Sequence, residues 1–202
     1  MSINPTIKAY DDYAEIYDAE VVDFWNNFPA QAIQEFVAAL PGKKVLNLGS
    51  GSGRDALLLK SAGLTVTCLD ASRSMCKLTE ELGFPTIHTD FASIDIKGQQ
   101  FDGVWAYTSL IHVPTEQLTK TVSYLRTQLP ANGVLFLGLI AGNDDQLVER
   151  ASMPGSQRYF RYYQSNEIDA IMRNTGYSLL YSDTYQPRHT TYLNRLYKCD
   201  QY

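Results

Sequence analysis

Short apolar runs alternate along the chain with stretches whose apolar residues recur every three or four positions. Val45, Leu46 and Leu48 form a run suited to a strand buried on both faces. Thr65–Asp70, Thr86–Thr89, Phe101–Tyr107 and Val134–Ile140 read as further strands. Between them, helical spacing begins at Arg54 with Ala56, Leu57, Leu58 and Leu59, and returns at Ser72 to Leu82, Thr115–Gln128 and 164–174. Near the start, Tyr10, Tyr13, Ala14 and Tyr17 predict a helix over 8–18, and a second is expected from 21 to 40, where Pro41-Gly42 stops it. Tyr177–Tyr185 and Thr191–Cys199 read as two strands around Gln186-Pro187-Arg188-His189. Residues 141–163 show little periodicity and are expected to form a long loop.

The most informative stretch is 44–53, Lys-Val-Leu-Asn-Leu-Gly-Ser-Gly-Ser-Gly. A strand, a glycine turn and a helix in this order open a doubly wound α/β fold, in which ligands settle at the carboxyl ends of the strands. Glycine tolerates φ > 0 there and carries no Cβ to hold a ligand off the backbone. A dinucleotide fingerprint needs a third glycine at position 54, which is Arg54, and this disfavours a pyrophosphate. Asp70 ends the second strand, where a carboxylate can accept hydrogen bonds from ribose hydroxyls. A nucleoside ligand without a pyrophosphate is the economical reading.

The chain has 202 residues, which is most simply one domain (1–202): a helical cap over 1–41, an α/β core over 42–202, and 141–163 as a candidate lid loop. Seventeen basic against 22 acidic residues give a net charge of −5, so no basic excess marks a general nucleic-acid binder. Lys8, Asp11, Asp12, Glu15 and Asp18 break up any leader-like apolar stretch, and the longest apolar run, 133–142, is too short to span a bilayer. Cys68, Cys76 and Cys199 lack metal-ligand spacing and read as reduced, buried thiols of a cytoplasmic protein; no metal site is expected.

The glycine loop, Asp70, Asp90 and the strand 101–113, in this order, resemble the class I S-adenosylmethionine-dependent methyltransferases over roughly residues 10–199. The resemblance implies a seven-stranded, mostly parallel sheet of the Rossmann-like methyltransferase type with an antiparallel C-terminal strand. It implies S-adenosyl-L-methionine as cofactor, held by Tyr17, Gly49, Ser50, Gly51, Gly53, Arg54, Asp70, Ala71, Ser72, Met75, Asp90, Phe91, Ala106 and Tyr107. Several of these have a second reading. Tyr17 also fits a packing aromatic, Met75 core filling, and Arg54 either the cofactor's carboxylate or a salt bridge to Asp55 or another acid. Asn47 departs from the family, which usually has an acid at that position.

The implied reaction moves a methyl group to an O, N, S or C nucleophile. His112 is the candidate base and Tyr107 the second, although a histidine there also fits a capping or packing role. The segment 141–163 is expected on the cofactor's rim, with Arg158 or Arg161 meeting an anionic or polar substrate group. A small-molecule acceptor leads, followed by tRNA and protein. The alternatives are a Rossmann oxidoreductase binding NAD and a non-catalytic S-adenosylmethionine-binding module.

Overall fold

The computed structural model describes residues 4–200. Asn4 caps the first helix by accepting from the Thr6 amide at 2.9 Å, and Pro5 at the first helical position is already set for it, giving α1 (Pro5–Asp12). Tyr13 leaves helical geometry (φ −125°, ψ 26°), and α2 (Ala14–Asn26) follows. The expected helix over 8–18 is therefore two helices. The expected second helix, 21–40, is also split: Pro29 disfavours helical backbone at Phe28, so α3 (Ala30–Ala39) starts afresh. The ends of the 1–202 span, residues 1–3 and 201–202, lie outside the described residues.

The remaining elements follow in order: β1 (Lys44–Leu48), α4 (Arg54–Ser61), β2 (Thr65–Asp70), α5 (Arg73–Glu81), β3 (Thr86–His88), β4 (Gly103–Tyr107), a 3-10 turn (Leu110–His112), α6 (Thr115–Gln128) and β5 (Val134–Ile140). Then come β6 (Asp145–Glu149), β7 (Gln157–Arg161), α7 (Ser165–Asn174), β8 (Tyr177–Tyr185) and β9 (Tyr192–Cys199). Seven strands form one sheet in the order β3-β2-β1-β4-β5-β9-β8. The first five run parallel, and β9 is antiparallel to both β5 and β8. The segment 141–163 is not a plain loop. Its strands β6 and β7 pair antiparallel as a separate hairpin.

Strand alternation sorts the core onto the two sheet faces. Val104, Ala106, Leu135 and Leu137 pack with Leu118, Val122 and Leu125 of α6 and Ile168 and Met172 of α7. Trp105, Tyr107, Val134 and Phe136 pack with Ala32 and Phe36 of α3 and Ala56 and Leu59 of α4. On this second face, Trp105 and Phe136 stack with centroids 4.1 Å apart, and Tyr107 continues the row. Gly138, opposite Tyr107 in the β4–β5 register, makes room for that ring: a Cβ there would lie 2.3 Å from Tyr107 Cδ2. The helices on both faces leave the carboxyl edges of β1, β2 and β4 facing α1 and α2.

Candidate active site

At the end of β1 the backbone turns because the Gly49 and Ser50 amides both donate to the Leu69 carbonyl, at 2.7 and 3.0 Å. Gly49 and Gly51 have φ of +69° and +51°. Each glycine serves a different purpose. A Cβ on Gly49 would strike Ser109 Cβ at 2.3 Å, whereas one on Gly51 would meet only Tyr17, at 3.8 Å across open space. A Cβ on Gly53 would press on Thr79 and Leu82, so Gly53 permits α5 to pack close.

Asp70 ties this loop to the next helix. Its Oδ2 accepts from the Gly51 amide and its Oδ1 from the Ser72 amide, both at 2.8 Å. Burial pushes its pKa up, against these hydrogen bonds. Ser72 caps α5 by accepting from the Met75 amide, and donates to Asp11 Oδ1 at 2.7 Å, anchoring α1 over the strand ends.

Beneath α1 and α2 lies a cleft of about 460 Å³. Gly49, Ser50, Gly51 and Arg54 line it on the loop side, and Asp70, Ala71, Ser72 and Met75 along β2 and α5. Asp90 and Phe91 line its far end, with Tyr17, Tyr107 and His112 on the opposite wall. Two expected residues are not on this wall: Gly53, and Ala106, which is wholly buried in the core cluster on the α6–α7 face because side chains alternate along β4. Asp90 closes its own turn, its Oδ1 accepting from the amides of Ala92 and Ser93.

Arg54 is held by Asp18, with Nε donating to Oδ1 at 2.7 Å. The departure at position 47 is answered nearby. Asn47 Nδ2 donates to Asp55 Oδ1 at 2.7 Å, and Asp55, 4% exposed, lines the cleft. Burial pushes the Asp55 carboxyl up to about 7. The buried hydroxyls of Ser50 and Ser109, also on the cleft wall, have no hydrogen-bond partner among the described residues.

His112 is committed on both sides. Its Nδ1 lies 2.7 Å from the Tyr159 carbonyl, which can only accept, so Nδ1 carries the proton. Nε2 then accepts from the Tyr10 hydroxyl at 2.8 Å. Burial lowers the imidazole pKa to about 4. The expected base is thus a neutral ring pinned between α1 and β7. Tyr107 fits a base no better, since burial among aromatics raises its pKa well above the ordinary value.

A second chamber of about 700 Å³ adjoins the cleft. Tyr10, Tyr17, Val21, Trp25, Thr108 and His112 border both. Phe24, Phe160, Tyr185 and Tyr192 supply more aromatic wall, and Arg150 and Arg188 sit at its edge. Thr108 holds the left-handed conformation (φ +51°) at this junction, and such strain in a non-glycine residue gathers at functional sites.

Arg158 and Arg161, the arginines expected to meet substrate, border neither cavity. Arg161 is engaged by Glu167, Asp145, Thr115 and the Tyr163 ring. Arg158 is sealed beneath Tyr10. Sequence reasoning missed Tyr10, Asp55 and Thr108. A signal existed for Asp55, which lies four positions before buried Leu59 on the inner face of α4.

Among the described residues, no cluster of His, Cys, Asp and Glu could hold a metal ion, and no helix is long and apolar enough to cross a membrane. Residues 45–133 match a family described as methyltransferase domain. Over that span the chain is similar to methyltransferases. The chain is 30% identical over 152 residues to the magnesium-protoporphyrin O-methyltransferase of Synechocystis sp., covering 69% of this chain and 65% of the relative. It is 26% identical over 158 residues to a ubiquinone biosynthesis O-methyltransferase of Chromobacterium violaceum, covering 70% and 67%. The chain therefore spans about two thirds of the length of these relatives. Its fold matches that of the DhpI–SAH complex with a TM-score of 0.80, over 98% of this chain and 97% of the other, at 21% identity. The methyltransferase match does not support the NAD-dependent oxidoreductase alternative.

Proposed function

We propose that this protein uses S-adenosyl-L-methionine, bound in the 460 Å³ cleft, to methylate a small molecule held in the adjoining chamber. One observation carries the reading: the two cavities meet at Tyr10, Tyr17, Thr108 and His112, so a donor in one faces an acceptor in the other.

The residues of the cleft fit the cofactor. The bare Cα of Gly51 opens onto it, the Ser50 and Ser109 hydroxyls offer unclaimed polar groups to an amino-acid end, and Asp55, held by Asn47, adds a carboxyl beside them. Asp70 would hold the ribose hydroxyls, Asp90 and Phe91 the adenine, and Tyr17, Ala71, Ser72 and Met75 would pack around the adenosine. When bound, the cofactor supplies an electrophilic methyl group on a sulfonium. The protein's share is placement of the nucleophile in line with that methyl, which can lower a barrier by roughly 7–11 kcal/mol. His112 holds Tyr10 and the β7 backbone in place rather than removing a proton. Helices α1–α3 serve as the cap and the β6–β7 hairpin as the lid, joined where the Tyr159 amide donates to Thr6 and the Tyr13 hydroxyl to the Pro154 carbonyl. Three free, buried cysteines suit a reducing, cytoplasmic setting.

Calorimetric titration with S-adenosylmethionine, S-adenosylhomocysteine and NAD tests the cofactor. Binding of the first two and not the third is expected; no heat with either adenosyl compound overturns the reading. Incubation with a metabolite panel, followed by detection of S-adenosylhomocysteine, tests turnover.

A further inference from the structure

Arg158 is 1% exposed, the most deeply buried charged residue among those described. Its Nη1 donates to the Tyr10 hydroxyl at 3.1 Å, and its guanidinium lies 5.3 Å from the Tyr10 ring centre and 5.2 Å from that of Phe160. Among the described residues, Nε and Nη2 have no acceptor and no carboxylate pairs with it. The other buried arginines differ. Arg195 lies 3.5 Å from Asp169, and Arg126 donates to the Gly176 carbonyl. A buried cation without a counter-ion is costly, and its field reaches far because little water screens it.

Tyr10 stands between Arg158 and the junction of the two cavities, its hydroxyl fixed by Arg158 on one side and His112 on the other. At the chamber's edge, Arg150 pairs loosely with Glu20 at 3.5 Å, and exposed Arg188 and Asp23 also line the rim, where water screens them. Arg158, by contrast, is buried and has no carboxylate partner among the described residues. The walls are aromatic, and His112, with both nitrogens engaged, is not free to take a proton from a neutral nucleophile.

Resting on the reading that this chamber takes the methyl acceptor, we propose that the acceptor is a planar, conjugated molecule whose nucleophilic group binds as an anion, a carboxylate or an already ionised phenol or thiol. The Arg158 charge behind Tyr10 draws that group to the junction through space, and the aromatic wall holds the ring. Such a nucleophile gives an electron pair to the methyl carbon as the carbon–sulfur bond breaks onto sulfur. The anion becomes a neutral ester, ether or thioether, the sulfonium becomes a neutral thioether, and no proton remains to be placed.

Three probes on one ring system test this by calorimetry: 2-naphthoate, 2-naphthamide and 2-naphthylmethylammonium, each titrated with and without saturating S-adenosylhomocysteine. The carboxylate is expected to bind at least about tenfold more tightly than the amide, and the ammonium least of all. High salt and the Arg150→Ala, Arg188→Ala double variant reduce only the rim's share of that preference. Arg158→Met abolishes most of it and Arg158→Lys, which keeps the charge, restores it. The inference is overturned if the amide or the ammonium binds as tightly as the carboxylate. It is also overturned if the preference survives in an Arg158→Met protein with a native circular-dichroism spectrum. Should that variant not fold, the ranking of probes on the wild-type protein decides alone. Failure of S-adenosylhomocysteine to bind counts against the cofactor reading instead, because the ranking without it is read separately.

Discussion

Asn47 and Asp55 meet beneath the glycine loop, amide nitrogen to carboxylate oxygen at 2.7 Å. The resembling family usually has an acid at position 47; here the carboxylate stands on the first turn of α4 instead, next to a neutral amide. Asp55 also accepts from the Ala56 amide, so its position is tightly defined.

This arrangement sets a pH dependence. Burial raises the folded-state pKa of Asp55 from 3.8 to about 7, so the folded chain holds this proton more tightly than the unfolded one. Its contribution to stability is complete below the unfolded value and is lost as pH rises through about 7. Asp55→Asn removes the titration. Urea unfolding at pH 4 and pH 8 should show the variant gaining on the wild type by about 4 kcal/mol across that interval.

His112 has the opposite sign. Its folded pKa falls from 6.5 to about 4, so its contribution is complete above the unfolded value and is lost as pH drops through about 4. In His112→Gln the acid-side loss of stability between pH 6.5 and 4 becomes shallower, read from denaturant midpoints against the wild type. The variant is also less stable at pH 7 by about 1–3 kcal/mol, since the α1–β7 contact is weakened.

Asp70→Ala removes the acceptor for the Gly51 and Ser72 amides and the carboxylate expected at the ribose. S-adenosylhomocysteine affinity should fall by about ten- to a hundredfold in calorimetry, the loss expected for charge-assisted hydrogen bonds. An unchanged dissociation constant would place the nucleoside elsewhere.

Gly53→Ala and Gly63→Ala separate close packing from backbone strain. Both glycines have strongly positive φ, +83° and +86°. A methyl on Gly53 would sit 3.0 Å from Thr79 Cγ2, while nothing lies within 4 Å of one on Gly63. Both variants lose about 1–2 kcal/mol from backbone strain, and Gly53→Ala loses more by thermal unfolding.

The parallel strands were legible because burial on both faces makes them nearly continuous apolar runs, and Gly49–Gly53 marked the turn that follows the first. The break at Tyr13 was not, because neither glycine nor proline announces it, whereas Pro29 did offer a sign. The β6–β7 hairpin escaped because β6, with four of its five residues exposed, has no apolar alternation to reveal a strand. The order of Asp70 and Asp90 along the chain marked two cleft residues in advance. The Tyr10–Arg158 contact joins residues 148 positions apart and arises only when α1 lies over β7.

The missing side chain at Gly138 governs a surface it never reaches. Any larger residue there must push the Tyr107 ring out of its row with Trp105 and Phe136, and that ring is part of the cleft wall. Relatives that differ at this one sheet position can therefore have differently shaped cavities while every wall-forming residue stays the same.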